Sequence, residues 1–324
     1  MQKLFQQFNN LTILIIGDVM MDSYLWGNVD RISPEAPVPV ISVRKKENRL
    51  GGAANVALNI QALGATPLIC AVVGNDKEGE EFIDILKQHQ LPTEGILQLD
   101  SRPTTVKTRV IGNKQQMIRI DAEVDKEITG QETEQLISMV SRFIIDNKID
   151  GFVFEDYDKG VISEHLIQQV VTIASRKNII SVVDPKKRNF LSYNGVTLFK
   201  PNLKELREGL KIEVNAANTE ELEHAVQILQ EKLQCAMIMV TLSERGVYMH
   251  SENGRKILPA HVRNIADVSG AGDTVIATTA VCLAAGLDEF TTAAIANLAG
   301  GLVCESVGVV PIDKVKLLRE AEAL

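Results

Sequence analysis

Basic residues are in short supply in this sequence. Lys and Arg number 34 against 42 Asp and Glu in 324 residues, a formal net charge of −8. Such a chain lacks the positive field of a protein that binds nucleic acid or an anionic membrane. Long apolar runs are missing too. No stretch of about 18 uncharged apolar residues occurs, so no transmembrane helix is expected. Met1–Asn10 holds one Lys and no extended apolar segment, which is not the pattern of a secretory signal, and a cytoplasmic location is expected. There are only four cysteines, Cys70, Cys235, Cys282 and Cys304, with no C-x-x-C pair among them. They read as buried free thiols of a reducing compartment. The five histidines are scattered, with no pair at metal-ligand spacing, so no zinc site is expected. There is no G-x-x-x-x-G-K-[ST] loop, and the glycine turn at 270–272 has Val275 where a dinucleotide fingerprint needs a third glycine.

What is present is an ordinary globular balance, 45% hydrophobic and 23% charged. No linker, low-complexity run or repeat interrupts it, so residues 1–324 are expected to form one α/β domain. Leu11–Gly17, Pro67–Val73, Gly151–Glu155, Ile179–Val183, Val196–Phe199 and Ala236–Leu242 are short apolar runs that read as buried strands. Between them, Gly52–Leu63, Gly79–His89, Glu132–Asp146, Glu164–Lys177 and Glu220–Leu233 carry helical periodicity. This alternation predicts a mostly parallel sheet with helices on both faces. Val38–Lys46 and Thr105–Asp121 instead alternate with period two. The second reads as a hairpin turning at Gly112-Asn113. A small antiparallel sheet, spanning about 38–47 and 105–121, is expected beside the main one, over a site or against a partner subunit.

Five polar clusters follow strand-like runs or enter helices. In DVSGAGDTVIATTAVCL, Gly270, Ala271 and Gly272 open an apolar helix, whose bare N–H groups and partial positive charge suit an anion. Asp273, in the first turn, is placed to take a proton from an attacking hydroxyl while those N–H groups stabilise the developing charge. The alternative is that Asp273 only caps the helix. Asp18 and Asp22 follow the first strand, where α/β sheets bind ligands, and suit paired hydrogen bonds to sugar hydroxyls, or a capped turn. Gly51 and Gly52 let a ligand approach the backbone, with Asn55 as a polar tip. Asn202 and Glu205 share one face of a helical turn, where they can orient the water shell of Mg²⁺ or simply cap the helix. Thr241, Ser243 and Gly246 form a polar loop after a strand, suited to nucleotide phosphates.

G-A-G-D at 270–273, N-x-x-E at 202–205 and G-G at 51–52 together resemble the PfkB (ribokinase-like) carbohydrate kinases over essentially the whole chain. Arg31–Val40 (RISPEAPVPV), between GDVMMD and GGAANVA, with DYDKG at 156–160 and DPKK at 184–187, is similar to the heptose-7-phosphate kinase branch. The resemblance implies a ribokinase-like fold with a β-sheet lid that often forms a homodimer interface. It implies transfer of the γ-phosphoryl of ATP, with Mg²⁺, to the C1 hydroxyl of D-glycero-D-manno-heptose 7-phosphate, and it allows a monovalent cation. Asp273 then matches the catalytic base, with Gly270, Ala271 and Gly272 as the anion hole. Asn202 and Glu205 match the Mg²⁺–phosphate motif, acting through water. Thr241, Ser243 and Gly246 match the nucleotide loop, and Asn297 falls in the adenine-side helix. Asp18, Asp22, Gly51, Gly52 and Asn55 match the sugar side. A phosphorylated sugar also needs cations for its distal phosphate. Lys107, Arg109, Arg119 and Lys159 are the candidates, as are Lys186, Lys187 and Arg188, and solvated surface charge is the alternative. Glu155, Lys200 and Ser23 depart from the common residues at their positions. No H-x-G-H motif is present, so a second, nucleotidyl-transferring activity is expected to lie elsewhere. A kinase for fructose or ribose, or a non-catalytic sugar-phosphate sensor, are the competing readings.

Overall fold

The computed structural model of the chain describes residues 1–323. A nine-stranded sheet runs β13-β12-β11-β10-β9-β8-β1-β4-β5. Its strands are β1 (Thr12–Gly17), β4 (Thr66–Gly74), β5 (Ile96–Leu99), β8 (Gly151–Glu155), β9 (Ile180–Asp184), β10 (Leu198–Phe199), β11 (Met237–Thr241), β12 (Val247–Ser251) and β13 (Gly254–Leu258). All pairings are parallel except β11–β12 and β12–β13. Such strands are apolar along their length because both faces are covered. Along β1, Ile13 and Ile15 pack into one apolar layer and Leu14 and Ile16 into the other. The first layer is built on helices α2 (Ala53–Ala62), α8 (Ala271–Ala284) and α9 (Glu289–Val303). The second is built on α4 (Gly130–Asp146), α5 (Glu164–Lys177) and α7 (Thr219–Leu233). Helices α1 (Gln2–Gln7), α3 (Lys77–Gln88), α6 (Leu203–Leu210) and α10 (Lys314–Ala321) complete the chain. No described helix is long and apolar enough to cross a membrane. All four cysteines are buried and free.

The small sheet has the order β3-β2-β6-β7, from β2 (Val19–Ile32), β3 (Pro39–Gly52), β6 (Val106–Gly112) and β7 (Gln115–Ala122). Three features differ from the expectation. The sheet is mixed rather than antiparallel, because β2 and β6 run parallel. The chain between them passes through β3, α2, β4, α3 and β5, long enough for the crossover that a parallel pair requires. The polar turn expected at Asp18–Asp22 is instead a single residue, Asp18, between β1 and the 14-residue β2. Asp22 therefore stands on a lid strand. The hairpin turn falls at Asn113-Lys114, with φ of 51° and 68°. Two consecutive positive φ values match the twist of the flanking strands.

Candidate active site

The site gathers where the carboxyl ends of β1, β8 and β9 meet the N-terminus of α8. Gly270 takes φ +78° at that N-terminus, and no side chain caps the helix. A Cβ at Gly270 would lie 3.0 Å from Asn55 Nδ2. Asp273 is buried, and its carboxylate turns away from its own helix. Oδ2 accepts from Asn55 Nδ2 at 2.7 Å and Oδ1 from Tyr157 Oη at 2.8 Å. The capping alternative for Asp273 therefore does not describe this geometry. Burial pushes its pKa up, the two donors hold it down, and nearby Asp184 adds to the rise.

Behind it lies a buried network of charge. Lys200 Nζ is 2.8 Å from Asp184 Oδ2, and Lys186 Nζ is 3.6 Å from Oδ1. Burial alone would raise the pKa of Asp184, but the two ammonium groups outweigh it and hold it below the ordinary value. Lys186 also donates to Glu205 Oε1 at 2.6 Å. Asn202 and Glu205 form a reciprocal capping box on α6, Asn202 N–H to Oε2 at 2.8 Å and Glu205 N–H to Oδ1 at 2.9 Å. The capping alternative thus holds for this pair, whose oxygens keep further lone pairs. Glu155 is fully buried with neither carboxylate oxygen hydrogen-bonded. Burial, then Asp184 and Asp273, push its pKa well up.

The expected sugar-side residues divide. Asp18 is 1% exposed, and its carboxylate accepts the backbone N–H groups of Tyr157 (2.8 Å), Lys159 (3.1 Å) and Val161 (3.2 Å). It builds the loop that carries Tyr157. Asp22 pairs with Arg109 across the lid. A Cβ at Gly51 would strike the Asp22 carboxylate, and one at Gly52 (φ +59°) the Asp18 carbonyl. The strand register puts Asp22 opposite Lys107, Tyr24 opposite Arg109, and Arg109 opposite Arg119, so these residues share one lid face. Arg119 is engaged by Asp121 at 2.8 Å and Lys159 by Glu123 at 2.8 Å. Lys107 has no carboxylate within salt-bridge distance among the described residues. Its Nζ lies over the Tyr157 ring, 5.7 Å from the centroid, as does Lys186 Nζ at 5.1 Å. Burial lowers the Lys107 pKa.

On the other side, Asn202 bridges to Thr241, whose N–H bonds Pro201 O at 3.0 Å. The loop that follows closes by Leu242 N–H to Gly246 O at 2.8 Å, with Ser243 at φ 55°. Asn297, on α9, donates to Pro259 O at 2.8 Å. Sequence reasoning missed Tyr157, Asp184 and Lys186 as contacts of the base and its surroundings. Lys186 was expected only as a cation for the distal phosphate, and Tyr157 and Asp184 stood out only as members of DYDKG and DPKK, since nothing in their spacing points to residue 273.

A mostly parallel sheet between two helical layers, with a separate β-lid and a helix N-terminus at the cleft, defines a ribokinase-like α/β protein. The chain belongs to the pfkB family of carbohydrate kinases, whose model matches residues 10–314. It is 39% identical over 297 residues to the bifunctional protein HldE of Helicobacter pylori (strain HPAG1), covering 91% of this chain and 63% of that protein. With HldE of Magnetococcus marinus it shares 41% over 304 residues, 93% of this chain and 62% of that one. The chain thus spans less than two thirds of these relatives. Among solved structures, phosphofructokinase-2 from Escherichia coli in complex with potassium superposes with a TM-score of 0.78 at 16% identity, over 97% of this chain and 98% of that one. Arabidopsis thaliana ribokinase complexed with ribose and ATP gives 0.73 at 16%, over 95% and 99%.

Proposed function

We propose that the chain is an ATP- and Mg²⁺-dependent kinase that phosphorylates the C1 hydroxyl of D-glycero-D-manno-heptose 7-phosphate in the cytoplasm. One observation carries the reading: a buried carboxylate, held on two donors, beside an uncapped helix N-terminus. Phosphoryl transfer through a loose transition state needs positioning and charge neutralisation above all. Asp273, oriented by Asn55 and Tyr157, takes the proton of the sugar hydroxyl. The N–H groups of residues 270–272 face the transferring phosphoryl. Asn202 and Glu205 offer hard oxygen lone pairs that fit Mg²⁺ through water, and the ion would neutralise phosphate charge when bound. Thr241, Ser243 and Gly246 would line the nucleotide phosphates and Asn297 the adenine side. On the sugar side Asp22, Gly51, Gly52 and Asn55 would receive the hydroxyls. Lys107, free of a carboxylate, is the readiest partner for the 7-phosphate, with Arg109 following if the sugar displaces it from Asp22.

The heptose assignment draws on the 38–41% identity to proteins named HldE and on the Arg31–Val40 segment. Ile118 and Ile120, 56% and 54% exposed on neighbouring positions of β7, supply apolar lid surface for a homodimer. The test is ADP release with Mg·ATP over heptose 7-phosphate, sedoheptulose 7-phosphate, fructose 6-phosphate, fructose and ribose. Turnover on heptose 7-phosphate alone is expected. Turnover on an unphosphorylated sugar only would sink the heptose reading and keep the kinase.

A further inference from the structure

One lid side chain reaches across to the segment behind the α8 N-terminus. Arg49, opposite Asp22 in the β2–β3 register, donates from Nη1 to the carbonyls of Val309 at 3.2 Å and Val307 at 3.5 Å. Between those carbonyls, Gly308 donates its N–H to Asp267 Oδ2 at 2.9 Å. Asp267 Oδ1 in turn accepts the N–H of Ser269 at 3.0 Å and its Oγ at 2.9 Å, one residue before Gly270. Residues 307–309 are thus held from the lid on one side and from the anion-hole turn on the other. Gly308 has φ +73°, and a Cβ there would lie 2.5 Å from Arg49 Nη1 and 3.3 Å from Tyr24 Oη. The positive φ favours glycine, and a Cβ there would push the Arg49 guanidinium from its place.

The lid end of the contact is continuous with the candidate sugar residues. The Arg49 guanidinium lies over the Tyr24 ring, 5.0 Å from its centroid, and Arg109 lies over the same ring at 5.4 Å. Arg109 is the ion-pair partner of Asp22. Glu47 fixes Arg49 from its own strand at 2.6 Å. A planar guanidinium that stacks on a ring and bonds two carbonyls has little freedom to follow one side without the other. We propose that Arg49 is a positioning residue that couples the lid to the N-terminus of α8. Nucleotide occupancy at the anion hole is felt at Tyr24 and Asp22, and a sugar on Asp22 is felt at the anion hole. Linkage makes the two effects equal. The nucleotide end rests on the kinase reading above.

A contact path alone does not demonstrate coupling, so the test reads coupling directly. Trp26 is the only tryptophan in the sequence. It stacks on Tyr24 with ring centroids 6.2 Å apart and planes 15° apart. Its emission therefore reports on the lid without a label. The full chain is titrated with Mg²⁺ and a non-hydrolysable ATP analogue while Trp26 emission is followed, and calorimetry measures the same binding. The wild type is expected to change emission with the calorimetric Kd. Arg49→Met is expected to bind the analogue with little change in Kd and lose most of the emission change. Arg49→Lys keeps the charge and stem but not the fork, and is expected to lose about half or more of it. Saturating analogue should tighten heptose 7-phosphate binding by about fivefold or more in the wild type, and hardly at all in Arg49→Met. An unchanged emission response in either nucleotide-bound variant overturns the proposal, as does a silent Trp26 in the nucleotide-bound wild type. Failure of the analogue to bind the wild type overturns the kinase reading and the coupling together. A normal Trp26 response without turnover on any heptose sinks the sugar assignment and leaves the coupling standing.

Discussion

Removing the hydroxyl of Tyr157 should move the pH at which the enzyme gains activity, and by an amount the geometry sets. Tyr157→Phe keeps the ring under Lys107 and Lys186 and deletes one of the two donors to Asp273, the 2.8 Å bond to Oδ1. Burial raises the Asp273 pKa, and Asn55 and Tyr157 oppose that rise. A hydrogen bond to a charged group contributes about 1.5–3 kcal/mol, and one pKa unit corresponds to 1.36 kcal/mol. Its loss should therefore raise the Asp273 pKa further, by about one to two units. The base works only when ionised, so activity is lost as pH falls through this pKa, and the variant loses it at higher pH. The assay is the pH profile of kcat/KM, which reports groups of the free enzyme. The acid limb should shift upward by about one to two units, with much smaller loss on the alkaline side. Stability changes with the same sign. Asp273 has a folded pKa above its unfolded value of 3.8, so its ionisation costs stability at neutral pH, and the deficit of the variant relative to wild type should be larger there than in acid. A uniform fall in kcat/KM with an unmoved acid limb would refute the role given to Tyr157, and with it the base assignment.

Asp273→Asn should cost about 10²–10⁴-fold in kcat with ATP affinity retained, as measured by steady-state kinetics and calorimetry. Near-normal turnover would remove the base. Lys200→Met leaves Asp184 buried with only the longer contact to Lys186, and should destabilise the chain by about 3–5 kcal/mol in urea titrations near pH 7. Asp184 has its folded pKa below the unfolded 3.8, so its pairing stabilises above that value and is lost as pH falls through the folded pKa. The deficit of the variant should accordingly shrink in acid, and a deficit that is constant with pH would assign it to packing instead. Ile120→Asp on the exposed lid face should convert a dimer to monomer by analytical ultracentrifugation at micromolar concentration. A monomeric wild type would end the lid-dimer reading.

The main sheet is legible in the sequence where its parallel strands are buried on both faces, which leaves out the half-exposed edge strand β5. Leu11–Gly17, Gly151–Glu155 and Ile179–Val183 therefore stand out as runs that are apolar on both faces, with Thr12, Glu155 and Ser181 the exceptions. The lid is legible only where it alternates cleanly. Val19–Ile32 begins with six buried residues in succession, Val19 to Tyr24, and its second half emerges into the lid. No single period describes such a strand, and it was not expected. The site divides on the same principle of distance along the chain. Asp273 is legible because the glycine turn and the acid are contiguous. Tyr157, 116 residues away, is not. Asp18 and Asp22 show the limit most plainly. In sequence they are two acids four apart after a strand, and nothing distinguishes them. In the fold one residue of extended chain separates β1 from β2. Asp18 therefore stays under the 157–161 loop with three backbone donors, while Asp22 is carried onto the lid beside Arg109. A buried carboxylate saturated by backbone N–H groups sets the shape of a site, whereas one paired with a side-chain guanidinium can exchange that partner for a ligand. On that ground Asp22→Ala should raise the KM for the sugar far more than that for ATP, while Asp18→Ala should disturb the loop bearing Tyr157 and depress kcat as well. Equal kinetic consequences from the two substitutions would mean that the backbone contacts of Asp18 do not set its role.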